Sequence, residues 1–113
     1  MKTLQPLLVL FSILTFSIGV NARTPLGTLE GTVIGLHGEA IAGATVMIQT
    51  SYGQHPHVTR TDASGHFAFI RFATGQYDLR AYSRGSYSDW AKRVPLRSRK
   101  PTQIVLRITL SKS

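Results

Sequence analysis

The chain has 113 residues, enough for one domain, and carries 13 Lys and Arg against 5 Asp and Glu, a formal net charge of +8. It contains no cysteine, which excludes disulfides, cysteine-based metal sites and a lipid attached to an N-terminal cysteine. No stretch has a sustained apolar period of 3.6 residues, so the sequence predicts little helix.

The first 22 residues have the pattern of a secretory signal peptide. Lys2 precedes an apolar run over residues 7–20, and cleavage is expected between Ala22 and Arg23. A membrane anchor is less favoured, because the run is shorter than the ~20 residues of a span and no basic stop-transfer cluster follows it closely. We therefore expect an exported periplasmic or extracellular protein whose mature domain, residues 23–113, has a net charge of +7 without Lys2. Export disfavours nucleic acid as a partner, and no transmembrane span is expected after cleavage.

Seven segments then alternate apolar and polar residues with the period of two that is typical of half-buried β-strands. They span residues 28–35, 44–49, 57–61, 66–70, 76–84, 87–96 and 102–110. Turn residues recur between them at intervals of about 8–12 residues, which is typical of an antiparallel sandwich. Pro56 and the polar residues of segment 57–61 indicate an edge strand, with Val58 as its main apolar contribution.

The stretch from Thr59 to Leu79 predicts the centre of the core. Asp62 to Gly65 have turn chemistry, since an Asp side chain bonds nearby backbone and Gly accepts a positive φ. A second turn is expected at Gly85 and Ser86. The side chains expected to point inward are those of Leu29, Val33, Ala44, Val46, Ile48, Phe67, Phe69, Tyr77, Leu79, Ala81, Ile104, Leu106, Ile108 and Leu110, with Trp90, Val94 and Leu96 partly inward and Phe72 closing one end.

These turn and core positions resemble a known family, the carboxypeptidase regulatory-like domains. The matching frames are Gly31-x-Val33, Gly38-x-x-Ile41-x-Gly43-Ala44-x-Val46, Thr61-Asp62-x-x-Gly65-x-Phe67-x-Phe69 and Gly75-x-Tyr77-x-Leu79. The resemblance implies an all-β, seven-stranded antiparallel prealbumin-like (transthyretin-like, Ig-like) sandwich of Greek-key type. It implies accessory, binding or folding-module roles and no particular activity, because the shared motifs are structural.

Three residue groups are weighed as chemical sites, and none is favoured. Tyr52, His55, His57 and His66 are similar in type to the iron ligands of the intradiol dioxygenases, but Pro56 gives the histidines no assured common face. The segment 82–86 resembles the Tyr-Arg-Gly-Ser tetrapeptide of transthyretin-related hydroxyisourate hydrolases, but it is internal and interrupted by Ser83. The third group, Asp62, Ser64 and His66, lies within one tight turn. We therefore predict a non-enzymatic protein with no catalytic residue, metal or cofactor, and a small hydrolase is the least favoured alternative.

One binding candidate is an aromatic hairpin. Tyr82, Tyr87 and Trp90 are clustered in sequence, with Arg80 and Arg84 close by. Flat aromatic side chains flanked by hydrogen-bonding groups suit sugar rings or extended peptides. The alternative is that Trp90 belongs to the core and the tyrosines are ordinary strand residues.

The other candidate is a basic loop formed by Arg93, Arg97, Arg99 and Lys100, beside Lys92. It would attract anionic lipid headgroups, lipopolysaccharide or acidic polysaccharide within a Debye length of ~8–10 Å. The alternative is a charge run that only protects an edge. The sequence thus predicts a monomeric exported sandwich with a binding or accessory role at the cell envelope, for a protein or carbohydrate ligand. A structural protein that engages anionic surfaces through the basic loop is the alternative.

Overall fold

Alternating burial along the chain produces two stacked sheets. The structure is a computed structural model that describes residues 24–109, so the predicted signal peptide lies outside the described residues. Residues 24–109 contain no helix and the following strands: β1 Leu26–Ile34, β2 Thr45–Thr50, β3 His57–Arg60, β4 His66–Ala73, β5 Gly75–Ser83, β6 Ser86–Tyr87, β7 Ala91–Leu96 and β8 Thr102–Arg107. This part of the chain therefore has no helix with the length and apolar character of a membrane span.

The strands form a three-stranded sheet in the order β4-β1-β8 and a five-stranded sheet in the order β3-β2-β5-β6, with β7 also paired to β5. The all-β, two-layer prediction is confirmed. The wholly antiparallel prediction is wrong at one pairing, because β1 and β8 run parallel from Leu29 opposite Thr102 to Ile34 opposite Arg107. The connection after β7 crosses to the other sheet instead of turning back as a hairpin, and it delivers β8 alongside β1 in the same direction.

The predicted seven strands become eight because segment 87–96 is interrupted between Tyr87 and Ala91. Ser88 causes the interruption: its N–H donates to the Ala81 carbonyl at 2.9 Å, while its hydroxyl accepts the Ala81 N–H at 2.9 Å. A side chain thus takes the place of a backbone acceptor in the ladder. Pairing resumes at Ala91, which lies opposite Leu79.

The core lies between the sheets and contains the predicted alternating residues of the range 24–109, whereas Leu110 lies outside the described residues. Leu29, Val33, Val46, Ile48 and Leu79 are completely buried, and the rings of Phe67, Phe69 and Tyr77 are also buried. Phe72 closes one end, as predicted, with its ring centroid 5.4 Å from that of Phe69 and 6.1 Å from that of Tyr77.

Val58, predicted as the main apolar residue of an edge strand, is 64% exposed and pairs with Met47 of β2. One expectation about inward side chains is wrong. Trp90 is half-buried but is not among the residues packed on the core. Its indole lies instead near Arg80, whose side chain is on the outer face of the five-stranded sheet.

The turn before β4 has the chemistry predicted from sequence. Asp62 Oδ1 accepts the N–H groups of Ser64 at 2.8 Å and His66 at 3.0 Å, and Gly65 adopts a φ of 80°. The two backbone hydrogen bonds lower the pKa of the Asp62 carboxyl below its ordinary value. Asp62, Ser64 and His66 therefore stabilise a turn through their backbone and carboxylate groups.

Candidate functional site

A tight hairpin between β5 and β6 positions the aromatic side chains. Arg84 and Gly85 form its two-residue turn with φ angles of 51° and 83°, between the paired residues Ser83 and Ser86. Positive φ at both central positions is the property of a type I′ turn, whose twist matches that of paired strands. The turn therefore begins one residue earlier than the sequence predicted, and Arg84 lies at its exposed tip.

The hairpin brings three of the predicted aromatic residues onto one surface around an arginine. Tyr82 lies directly opposite Tyr87, with ring centroids 4.7 Å apart and planes inclined by 44°. The Arg80 guanidinium carbon is 4.0 Å from the Tyr87 ring centroid and 5.3 Å from that of Trp90. We call Arg80, Tyr82, Tyr87 and Trp90 the aromatic–arginine cluster.

The cluster is open to solvent at its tyrosines and held from below at its arginine. Tyr82 is 38% exposed and Tyr87 is 46% exposed. Arg80 is half-buried, and its Nε donates to the Ser88 carbonyl at 3.3 Å. A guanidinium over an aromatic face is stabilised by about 0.5–2 kcal/mol, depending on solvent exposure. The surface is thus largely organised before any ligand arrives.

The sequence predicted Arg80 only as a neighbour of the aromatic residues and did not predict its position at the centre of the cluster. The available signal was its spacing, because residues two apart on a strand share a face and Arg80 precedes Tyr82 by two. Its contact with Trp90 carried no such signal, since it depends on the break at Ser88. Within residues 24–109, the arginine that contacts the rings of Tyr87 and Trp90 is Arg80 and not the predicted Arg84.

The same sheet face continues across β2 and β3. Cross-strand pairing places Met47 opposite Arg80, and Val58 opposite Met47. A second row joins Tyr82 to Thr45 and Thr45 to Arg60. The cluster therefore adjoins a partly exposed apolar strip, whereas the Arg60 guanidinium at its far edge donates to the Gly43 carbonyl at 3.1 Å.

The predicted basic loop divides in the structure. A depression of about 270 Å³ is lined by Arg97, Arg99 and Lys100 together with Arg71. Arg71 is a β4 residue with a φ of 66° at the irregularity in the β1–β4 pairing, and the sequence pattern did not predict its place in the depression. Arg93 does not line the depression: it lies in β7, where its N–H donates to Asp78 Oδ1 at 2.9 Å.

A larger groove, which the sequence did not predict, crosses the three-stranded sheet. It has a volume of about 750 Å³ and polar walls that include Gln103, whose Nε2 donates to Glu30 Oε2 at 3.4 Å. The remaining lining residues are Gly31, Thr32, Arg60, Asp62, His66, Phe67, Ala68, Ile104 and Val105.

The profile of the carboxypeptidase regulatory-like domain family matches residues 28–111. The chain belongs to this family. The predicted resemblance is thereby confirmed, and it agrees with the two-sheet fold. A comparison with the curated proteins gave no match.

Solved structures similar to this carboxypeptidase regulatory-like domain include two pilins. BcpA, the major pilin subunit of Bacillus cereus, has a TM-score of 0.62 and 14% identity, covering 77% of this chain and 31% of its own. GBS52, a minor pilin of Streptococcus agalactiae, has a TM-score of 0.62 and 17% identity, covering 79% and 46%. Catechol 1,2-dioxygenase from Pseudomonas arvilla C-1 has a TM-score of 0.54 and 12% identity, covering 81% and 55%. The likeness is one of fold, and the domain matches at most about half the length of these structures.

The tyrosine and histidines that were weighed as metal ligands lie in different settings in this domain. Tyr52 is 89% exposed in the loop after β2, and His55 is exposed with a φ of 53°. His57 packs edge-on against Phe72 at 5.0 Å, whereas His66 follows the Asp62 turn. Between residues 24 and 109, no three His, Cys, Asp or Glu side chains are grouped in a way that could hold a metal ion.

Proposed function

We propose that this carboxypeptidase regulatory-like domain is an exported, non-enzymatic module that binds a protein or carbohydrate ligand at the cell envelope. The binding surface is the aromatic–arginine cluster. The observation that carries the proposal is the pair of exposed rings of Tyr82 and Tyr87, 4.7 Å apart, with the Arg80 guanidinium 4.0 Å from one of them. Rings fixed in advance lose little conformational freedom when a ligand covers them, so more of the contact energy appears as affinity.

A binding role fits these side chains better than hydrolysis does. The Asp62 carboxylate is already engaged by two backbone N–H groups, which suits a turn and not the orientation of a catalytic histidine. Residues 82–86, which resembled a hydrolase tetrapeptide, form the end of one strand, a two-residue turn and the start of the next.

Export and an envelope location are supported by two observations. Residues 1–22 have the charge and hydropathy pattern of a signal peptide. The fold is also that of two pilins, although the likeness in sequence is low. We propose that the mature domain acts as a monomer with an accessory or structural role at the envelope, where it presents its binding face.

A second candidate function is engagement of an anionic envelope surface through the basic depression. Four cationic side chains, those of Arg71, Arg97, Arg99 and Lys100, line a single cavity. Such a set raises the local concentration of anions, and the attraction is weakened strongly by salt.

Alanine substitution at the exposed rings tests the first proposal. Tyr82→Ala and Tyr87→Ala should each weaken binding to isolated envelope polysaccharide or envelope protein about tenfold, because a well-stacked ring contributes about 0.5–1.5 kcal/mol beyond its buried area. The change in the free energy of unfolding should stay under about 1 kcal/mol, since both rings are partly exposed. Isothermal titration calorimetry and thermal melting measure the two quantities.

The matched control is Tyr52→Ala, which removes a tyrosine that is 89% exposed and lies away from the cluster. An equal loss of binding in Tyr52→Ala would contradict the proposed site. If binding is lost only when Arg97, Arg99 and Lys100 are replaced by Gln, the basic depression is the functional surface and the second candidate is correct.

A further inference from the structure

Arg80 offers hydrogen-bond donors as well as charge at the centre of the cluster. A guanidinium has N–H groups on three nitrogens and stays protonated in proteins. Within residues 24–109, the Arg80 side chain donates its hydrogen bond through Nε, which leaves the two terminal nitrogens for a ligand. Contacts with Tyr87 and Trp90 hold the plane of the group, so it can bind a planar carboxylate with both terminal nitrogens.

The charge around the cluster is also suited to an anion. Arg84 occupies the exposed tip of the adjoining turn. The Arg60 guanidinium, two strands away, donates to the Gly43 carbonyl at 3.1 Å and lines the groove of the three-stranded sheet, so it does not add to this charge. The acidic residue of β5, Asp78, is buried and accepts hydrogen bonds from the Ser51 hydroxyl and the Arg93 N–H, so it does not offset this charge at the surface. Asp89, in the break between β6 and β7, is exposed, so one surface carboxylate stands against the positive charges of Arg80 and Arg84.

The arrangement of strands favours a polysaccharide over a peptide. A β-sheet recognises an extended peptide by adding it as a strand to an open edge. β5 is paired on both sides, and the edge beside the cluster is divided into the two-residue β6 and the separate β7, in which Pro95 supplies no N–H. The cluster instead presents the faces of rings, on which the apolar faces of sugars can lie.

We infer that the ligand is a carboxylated polysaccharide, whose carboxylates bind Arg80 while its sugar rings lie on Tyr82 and Tyr87. This inference rests on the proposed function and names the class of ligand for the same surface. Arg80 distinguishes acidic from neutral sugars, because it forms bidentate, charge-assisted hydrogen bonds with a carboxylate. The tyrosines contribute affinity for acidic and neutral sugars alike.

The experiment compares polygalacturonate with its fully methyl-esterified form, which keeps the sugar and removes the charge. Affinity of the mature protein is measured by calorimetry in buffer with physiological salt, where exposed charges are screened beyond ~8 Å. We expect polygalacturonate to bind at least about tenfold more tightly than the ester, as one charge-assisted pair provides. Arg80→Gln should remove this preference, whereas Tyr82→Ala should weaken the binding of both ligands by a similar factor, because the Arg80 guanidinium is held by the other two rings.

Replacement of Arg97, Arg99 and Lys100 by Gln is the control for net charge, since it removes three positive charges outside the cluster, whereas Arg80→Gln removes one within it. That variant should keep the preference; if it loses the preference while Arg80→Gln keeps it, the inference is overturned. Tighter binding of polyglutamate than of polygalacturonate would also overturn it, in favour of an acidic peptide. Equal binding of the acid and the ester, both weakened by Tyr82→Ala, would reject the carboxylate while leaving the proposed function intact. If neither polymer binds, the inference is rejected, and the calorimetry with isolated envelope polysaccharide or envelope protein decides the proposed function separately.

Discussion

Replacement of Asp78 by Ala should destabilise the domain and loosen the cluster together. The Asp78 carboxylate is 7% exposed, and its Oδ1 accepts hydrogen bonds from the Ser51 hydroxyl and the Arg93 N–H, both at 2.9 Å. Hydrogen bonds to a charged group contribute about 1.5–3 kcal/mol each. Because Ser51 is half-buried and can turn towards water, we expect a total loss of about 2–4 kcal/mol. For a domain of this size, that lowers Tm by roughly 10–25 °C.

Urea unfolding followed by the fluorescence of Trp90, the only tryptophan of the chain, measures this loss. In native buffer, Asp78→Ala should also make Trp90 more accessible to iodide, because the Asp78 carboxylate accepts a backbone hydrogen bond from β7, the strand that follows Trp90. Asp78→Asn retains an Oδ1 acceptor for both hydrogen bonds and should lose about half as much or less. Asp89→Ala, at an exposed position, is the control and should stay within about 0.5 kcal/mol of the wild type. A loss in Asp78→Ala no larger than that of the control would refute this account.

Three further predictions concern the frame of the sandwich. Thr61→Val should lower the free energy of unfolding by about 2–4 kcal/mol, because the buried hydroxyl bonds two backbone groups; Thr61→Ser should restore most of it, and equal melting of the two variants would contradict this. Gly31→Ala should prevent or severely impair folding, since its Cβ would overlap the Ile104 backbone oxygen and lie 2.8 Å from the Phe67 ring; a wild-type circular dichroism melt would refute that packing. The pKa of Asp62 is lowered in the folded state, so its carboxylate adds stability that is present above the ordinary pKa of 3.8 and is lost as pH falls through the folded pKa. Asp62→Asn should therefore flatten the acid side of the curve of stability against pH. An unchanged slope in this variant would argue against the role of Asp62.

Period-two burial accounts for most of what the sequence predicted correctly. Inward positions such as Leu29 and Ile48 are completely buried because each segment had one clearly apolar face. The parallel pairing of β1 with β8 was beyond this reasoning, since alternation fixes the face of a strand and not its neighbour or direction. Val58 was the only large aliphatic residue of its segment, yet it is exposed, because its pairing with Met47 sets its face. Composition alone cannot set that register.

The binding candidates were predictable as residue types but not as an arrangement. Tyr82 is exposed because it lies opposite the core face of β5, which alternation predicts. The contact of Arg80 with two rings is a tertiary result, because one ring belongs to β6 and the other to the break after it. The addition of Arg71 to the basic depression is likewise tertiary, since it depends on an irregular pairing of β1 and β4.

The break at Ser88 determines which face receives Trp90. In an uninterrupted strand, Tyr87 outward would place Trp90 inward, three residues later, because successive side chains alternate. In the structure Ala91 takes the inward position opposite Leu79, so Trp90 is shifted to the outer face beside Arg80. Breaks and bulges in a ladder are known to re-aim side chains next to functional sites. The two departures from regular pairing in this sheet, at Ser88 and opposite Asp78, thus flank the aromatic–arginine cluster and serve its geometry.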